Sequence, residues 1–211
     1  MTNPNKTLIA MLLDRSGSMQ SIKDDTEGGF NSFIAEQRKN TDGEVNVTLA
    51  QFDDKFEIVY SNMELDKVPP LKLSPRGMTA LHDAIGKLVT DTGRILAGMD
   101  ENDRPGKVIV VTMTDGHENA SREWTRDAVK KLIKQQETDY DWTFLFLGAT
   151  LDAVETAGDL GISRNRAMSY NSDAAPVAFA AISDVTTSIR SGGSTHDVMF
   201  SDEFRSKASG K

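Results

Sequence analysis

The residues with the most chemistry to offer are Asp14, Ser16 and Ser18, in the run Asp14-Arg15-Ser16-Gly17-Ser18. A carboxylate and two hydroxyls at alternate positions on a short loop present oxygen donors only. Hard divalent cations such as Mg²⁺ take about six oxygens at roughly 2.1 Å, and short Asp and Ser side chains can converge that closely. Two more oxygen donors stand far away in sequence: the Thr79 hydroxyl at the start of an expected helix, and the Asp115 carboxylate at the end of an expected strand. Together Asp14, Ser16, Ser18, Thr79 and Asp115 would leave a coordination place for water or an outside ligand. A plainer alternative makes Ser16, Gly17 and Ser18 a polar turn and both aspartates helix caps. Nothing in that alternative requires Thr79 and Asp115 to meet Asp14.

Competing chemistry is scarce. The 211 residues include no cysteine and only three histidines, which removes thiolate-bound zinc, iron–sulfur clusters, thiol nucleophiles and disulfides. There is no GxxxxGK[ST] loop, no GxGxxG after a strand and no HExxH. Asp14 after a strand invites comparison with phosphoryl-transfer aspartates, but Ser16 replaces the second carboxylate expected two residues later. No catalytic residue is assigned, and a metal-dependent phosphoesterase is the weakest reading.

These donors need elements to carry them. Thr7–Leu13, TLIAMLL, is a near-continuous apolar run that reads as a central strand buried on both faces, as does Lys107–Met113, KVIVVTM. Ile22, Phe30, Phe33 and Ile34 space a helix over 20–39, weakened by Gly28 and Gly29. Val45, Val47 and Leu49 alternate as a strand, and the short join Asp53–Lys55 before FEIVYS allows only antiparallel pairing. Residues 62–78, with three prolines, predict an irregular link. Leu81 to Leu96 then marks a helix face, Trp124, Ala128, Leu132 and Gln135 another, and 142–147 a strand. Weaker signals place a helix at 152–160, a strand at 167–169 and a helix at 174–189. Such alternation predicts an α/β fold with a mostly parallel sheet covered by helices on both faces. Its crevice should lie beyond the carboxyl ends of the strands, where Asp14–Ser18, Thr79 and Asp115 would gather.

On these residues the chain resembles the von Willebrand factor type A (vWA) family with a metal-ion-dependent adhesion site (MIDAS). The family's DxSxS motif stands here as Asp14, Ser16 and Ser18 in DRSGSM; its threonine falls on Thr79 in RGMTALHDAI; its last aspartate falls on Asp115 in TMTDG. The likeness extends over nearly the whole chain. It implies a doubly wound, Rossmann-like sheet with one antiparallel edge strand. It also implies a Mg²⁺ or Mn²⁺ ion bound by those five side chains, with an Asp or Glu of a protein partner completing the shell. The family often has GGT before the helix, whereas Gly77-Met78-Thr79 stands here.

Arg15, Met19, Met78, His82, His117, Glu118 and Asn119 should form the rim that selects the partner. Arg15 either pairs with an incoming carboxylate or is simply solvated. His117 and Glu118 could be read as a second metal pair, or as rim contacts or exposed polar residues. Asp83 in the first helical turn favours the helix dipole, and Asp24, Asp25 and Glu27 read as a solvated acidic face more readily than as a second cation site. Trp124 and Trp142 read as core or interface aromatics.

Charge narrows the partner. With 24 Lys and Arg against 32 Asp and Glu the formal charge is -8, and no basic cluster offers itself to nucleic acid. The N-terminal residues are too few and polar for a signal peptide, and the apolar run Leu8–Leu13 is too short to span a membrane. The expected setting is cytoplasmic, without nucleic acid or membrane as partner. Residues 1–190 read as one vWA-like domain and 191–211 as a loosely held extension, able to dock through Val198, Met199 and Phe200. The expected function is metal-dependent protein binding. The alternative is a structural or self-assembling part, homo-oligomeric or within a larger complex, whose metal only steadies the loops.

Overall fold

A computed structural model describes residues 2–150, 152–195 and 197–210. In chain order the elements are β1 (Asn3–Asp14), α1 (Lys23–Lys39), β2 (Glu44–Phe52), β3 (Phe56–Glu64), α2 (Leu81–Ala97) and β4 (Pro105–Thr114). Then follow α3 (Arg126–Tyr140), β5 (Thr143–Gly148), α4 (Ala153–Asp159), β6 (Ala167–Ser169), α5 (Ala175–Arg190) and α6 (Asp202–Ala208). The strands form one sheet in the order β3-β2-β1-β4-β5-β6. All neighbours are parallel except β2 and β3, the antiparallel hairpin at the edge. Among the described residues no helix is long and apolar enough to cross a membrane.

The apolar run of β1 is explained by strand periodicity. Successive side chains point to opposite faces, so Ile9, Met11 and Leu13 enter one core while Leu8, Ala10 and Leu12 enter the other. The first core is closed by Phe30, Phe33 and Ile34 of α1 and by Phe179, Ile182, Val185 and Ile189 of α5. The second is closed by α2, α3 and α4, through residues such as Leu81, Ile85, Leu88, Val129, Ile133 and Ala157. Both faces of the central strands are covered, so their charged residues stand toward the strand ends.

Several expectations shift. Helix α1 begins at Lys23, after a 3₁₀ turn over Gly17–Ile22. It runs unbroken through both glycines; Gly29 lets the Phe179 ring approach where a Cβ would collide, and Phe179 meets Phe30 edge-on at 6.3 Å. The stripe on α3 lies one residue off the expected one. Thr125 caps the helix by accepting the Ala128 N–H, so Trp124 lies outside it, and Val129 and Ile133 are the buried positions. Trp124 packs partly buried against the second core, while Trp142 is buried in it. Within the expected irregular link, β3 continues to Glu64, a 3₁₀ turn follows over Leu65–Lys67, and Leu71 and Leu73 are buried. Glu27, read as part of an acidic face, accepts the Leu73 N–H at 2.7 Å, whereas Asp24 and Asp25 are exposed.

The end of the chain packs on the body through Val198 and Phe200, two of the three residues named for docking, while Met199 is 53% exposed. Phe200 is 2% exposed and joins the first core with Val198 and Ala208. Arg205 donates to the carbonyls of Phe200, Ala167, Arg164 and Asn165. Composition alone suggested a tail; an apolar residue placed two before a Ser-capped helix, with Ser201 accepting the Phe204 N–H, seats the segment.

Candidate metal centre

Strand order locates the site. The chain leaves β1 toward β2 and β3, then returns to the other side of β1 to make β4. At such a reversal the connections from the two central strands diverge and open a crevice beyond their carboxyl ends. Asp14 ends β1 and Asp115 follows β4. The register sets Leu13 beside Met113, which brings Asp14 next to Thr114.

The buried Asp14 carboxylate accepts the Thr114 hydroxyl at 2.5 Å and the Ser16 N–H at 2.6 Å. Ser16 and Ser18 hydroxyls lie 3.1 Å apart, and Ser18 Oγ donates to Asp115 Oδ1 at 2.7 Å. Thr79 reaches the same place from the loop before α2: a Cβ placed on Gly116 would lie 3.0 Å from Thr79 Oγ1 and 3.7 Å from Ser18 Oγ. All five oxygen-bearing residues expected from the sequence are thus gathered at one end of the sheet. Thr114 joins them unforeseen; its signal was its place beside Asp14 in the parallel register, which no local motif displays.

Among the described residues the two carboxylates have no cationic partner. Burial raises the Asp14 pKa from 3.8 to about 6, against the opposing hydrogen bonds from Thr114 and Ser16. Burial likewise raises Asp115, opposed by the Ser18 hydroxyl. The Tyr170 hydroxyl is buried with no hydrogen-bond partner among the described residues, and burial and the negative charge of Asp115 and Asp14 raise its pKa. Among the described residues no group of three or more His, Cys, Asp and Glu could hold a metal; the donors here are two carboxylates and three hydroxyls. A cradle kept open by Gly116, lined by hard oxygens and carrying uncompensated negative charge, fits a small divalent cation such as Mg²⁺ or Mn²⁺.

The expected rim divides. Met78 is 52% exposed, and His117 and Asn119 are also on the surface. Met19, by contrast, is fully buried in the first core, because the 3₁₀ turn points it inward. Arg15 is neither free nor solvated: its side chain is 7% exposed and pairs with Asp53 at 2.9 Å and Glu57 at 2.6 Å. His117 and Glu118 do not act as a pair, for the His117 ring turns to Asp152 at 3.4 Å. Glu118 instead accepts N–H groups of His82, Ala120 and Ser121 and the Ser121 hydroxyl, and His82 Nδ1 lies 3.7 Å from it. Asn119 exchanges two bonds with Thr79, its Oδ1 accepting the Thr79 N–H and its N–H donating to the Thr79 carbonyl. Asp83 does more than favour a helix dipole. Its carboxylate accepts the N–H groups of Arg122, Glu123 and Trp124, fastening the loop after Asp115 to α2.

Comparison with solved structures decides the fold. The proximal thread matrix protein 1 of the mussel byssus, in a form with a zinc-occupied MIDAS motif, superposes with a TM-score of 0.63 at 16% identity, over 88% of this chain and 49% of that one. The protein has the von Willebrand factor type A fold. A von Willebrand factor type A protein from Catenulispora acidiphila matches over 88% of this chain and 43% of its own, with a TM-score of 0.55 at 12% identity. The PilB minor pilin of Streptococcus sanguinis matches over 89% of this chain and 62% of its own, with a TM-score of 0.60 at 12% identity. The chain therefore spans between 43% and 62% of the length of these proteins. No protein-family profile matches the sequence, and no curated protein does.

Proposed function

We propose that this vWA chain is a metal-dependent protein-binding module. Asp14, Ser16, Ser18, Thr79 and Asp115 would hold one divalent cation, Mg²⁺ or Mn²⁺, which supplies an electrophilic point for an Asp or Glu side chain of a partner protein. The observation that carries this reading is the pair of neighbouring carboxylates, buried Asp14 and half-buried Asp115, whose charge no Lys or Arg among the described residues offsets. Two negative charges balance one divalent ion and leave it able to take an outside anion. The mussel protein with zinc in its MIDAS motif is an example of the same fold with that site filled. Met78, His117 and Asn119 are exposed next to Thr79 and Gly116 in the chain or, for Asn119, bonded to Thr79, and would contact the partner beside its carboxylate. The reading assigns no catalytic group.

A second reading keeps the ion as a purely internal brace. It is favoured by the bonds that already join the loops, Ser18 to Asp115 and Asn119 to Thr79. A Mg²⁺-dependent pull-down with wild type and Thr79→Ala separates the two. Bridging predicts that EDTA or Thr79→Ala releases the partner while thermal unfolding moves little; bracing predicts that binding and stability are lost together.

A further inference from the structure

We infer that Asp53, in the turn between β2 and β3, is the positioning residue of the metal site, acting through Arg15 and Arg76 on the two loops that carry Ser16 and Thr79. The inference rests on the metal-binding reading above. Asp53 is fully buried at the edge hairpin and is not among the five oxygen donors. Its Oδ2 accepts Arg15 Nε at 2.9 Å and Arg76 Nε at 2.8 Å, and its Oδ1 accepts the Lys55 N–H at 2.7 Å. Its backbone carbonyl accepts the Ala80 N–H at 2.9 Å. One residue therefore touches the neighbour of Asp14 and Ser16, the neighbour of Thr79, and the residue three before Thr79.

The loops are also joined to each other. Arg76 N–H donates to the Arg15 carbonyl at 2.8 Å, and Gly17 N–H donates to the Gly77 carbonyl at 3.2 Å. Gly77 has φ +68°, and a Cβ there would collide with Asp54 Oδ1, so this loop is pressed against the same turn. Two guanidinium groups on one carboxylate oxygen form a charge-assisted clamp that holds geometry more tightly than neutral bonds. Residues that hold metal ligands in place through such contacts contribute to affinity without touching the ion. Arg15, placed inside the DxSxS run, thus serves the scaffold and not the partner.

Mn²⁺ titration of wild type, Asp53→Asn, Arg76→Met and Arg76→Lys tests this. Asp53→Asn should weaken Mn²⁺ binding about 10-fold or more, and Arg76→Met by about 3- to 10-fold. Arg76→Lys keeps a cation against Asp53 and should stay within about 2-fold of wild type. Hydrogen exchange in EDTA supplies a readout free of metal: Arg76→Met should speed exchange of the Gly17 and Ala80 amides while core amides such as Val110 and Leu145 keep their protection. Arg76 is 58% exposed in its side chain, so its variants carry the test if Asp53→Asn fails to fold. Wild-type Mn²⁺ affinity in Arg76→Met, with unchanged exchange at Gly17, would overturn the clamp alone. A wild type that takes up no Mn²⁺ would overturn the metal reading itself, and the positioning role with it.

Discussion

Five carboxylates at the same end of the sheet fall into two groups. Asp53, Asp83 and Glu118 meet cations or several backbone N–H groups. Burial pushes their pKa values up, but Arg76, the Lys55 N–H and Arg15 at Asp53, three loop amides at Asp83, and Ser121 with three amides at Glu118 outweigh it and hold them low. Asp14 and Asp115 meet mostly hydroxyls, and burial holds them high. Partner and depth of burial together thus separate the two groups. Carboxylates with complete partners build the loops, and those left with uncompensated charge face the place an ion would fill.

The sharpest break in this contrast is Asp14→Ala. It should lower Mn²⁺ affinity by about 1,000-fold, roughly 4 kcal/mol, in calorimetric titration. Its companion Asp14→Asn should unfold at a higher temperature than wild type in EDTA, since the rise of Asp14 from 3.8 to about 6 stands for on the order of 3 kcal/mol of buried-charge cost at neutral pH. A lower unfolding temperature for Asp14→Asn would mean that its charge is compensated after all.

Asp83→Ala should do the opposite, costing about 3 kcal/mol in denaturant unfolding without metal, because three N–H groups lose a charged acceptor. Acid should separate the groups next. Asp53 and Asp83 have folded pKa values below 3.8, so their stabilisation is complete above that pH and is lost as pH falls through the depressed values. In EDTA the unfolding temperature should therefore drop below about pH 4, and Asp53→Asn should flatten that drop. The smallest effect belongs to Met78→Ala, which should change stability by no more than about 0.5 kcal/mol and leave Mn²⁺ affinity intact. Partner affinity in the pull-down should still fall, as expected of an exposed side chain at the opening.

Much of this was readable along the chain. Apolar runs at Thr7–Leu13 and Lys107–Met113 display the central strands, because a strand dry on both faces admits no polar alternation. The join Asp53–Lys55 displays the hairpin. The α3 face was harder to read, since a stripe counted from Trp124 begins before the helix does. The rim was harder still. Arg15 and Met19 lie beside motif residues, yet one turns into an ion pair and the other into the core, and sequence proximity carries no information about side-chain direction in the loop and 3₁₀ turn that follow β1.

Sequence alone determined which oxygen donors exist, the order in which they occur, and the strands that deliver Asp14 and Asp115 to a common end, since these follow from residue type and from period-2 burial. Only tertiary structure decided which charged neighbours are already taken: Arg15, Asp53, Arg76, Asp83 and Glu118 find partners across separations of 23 to 42 residues or in loops with no local pattern. Electrostatic pairing depends on distance in space, and only the closed fold sets that distance.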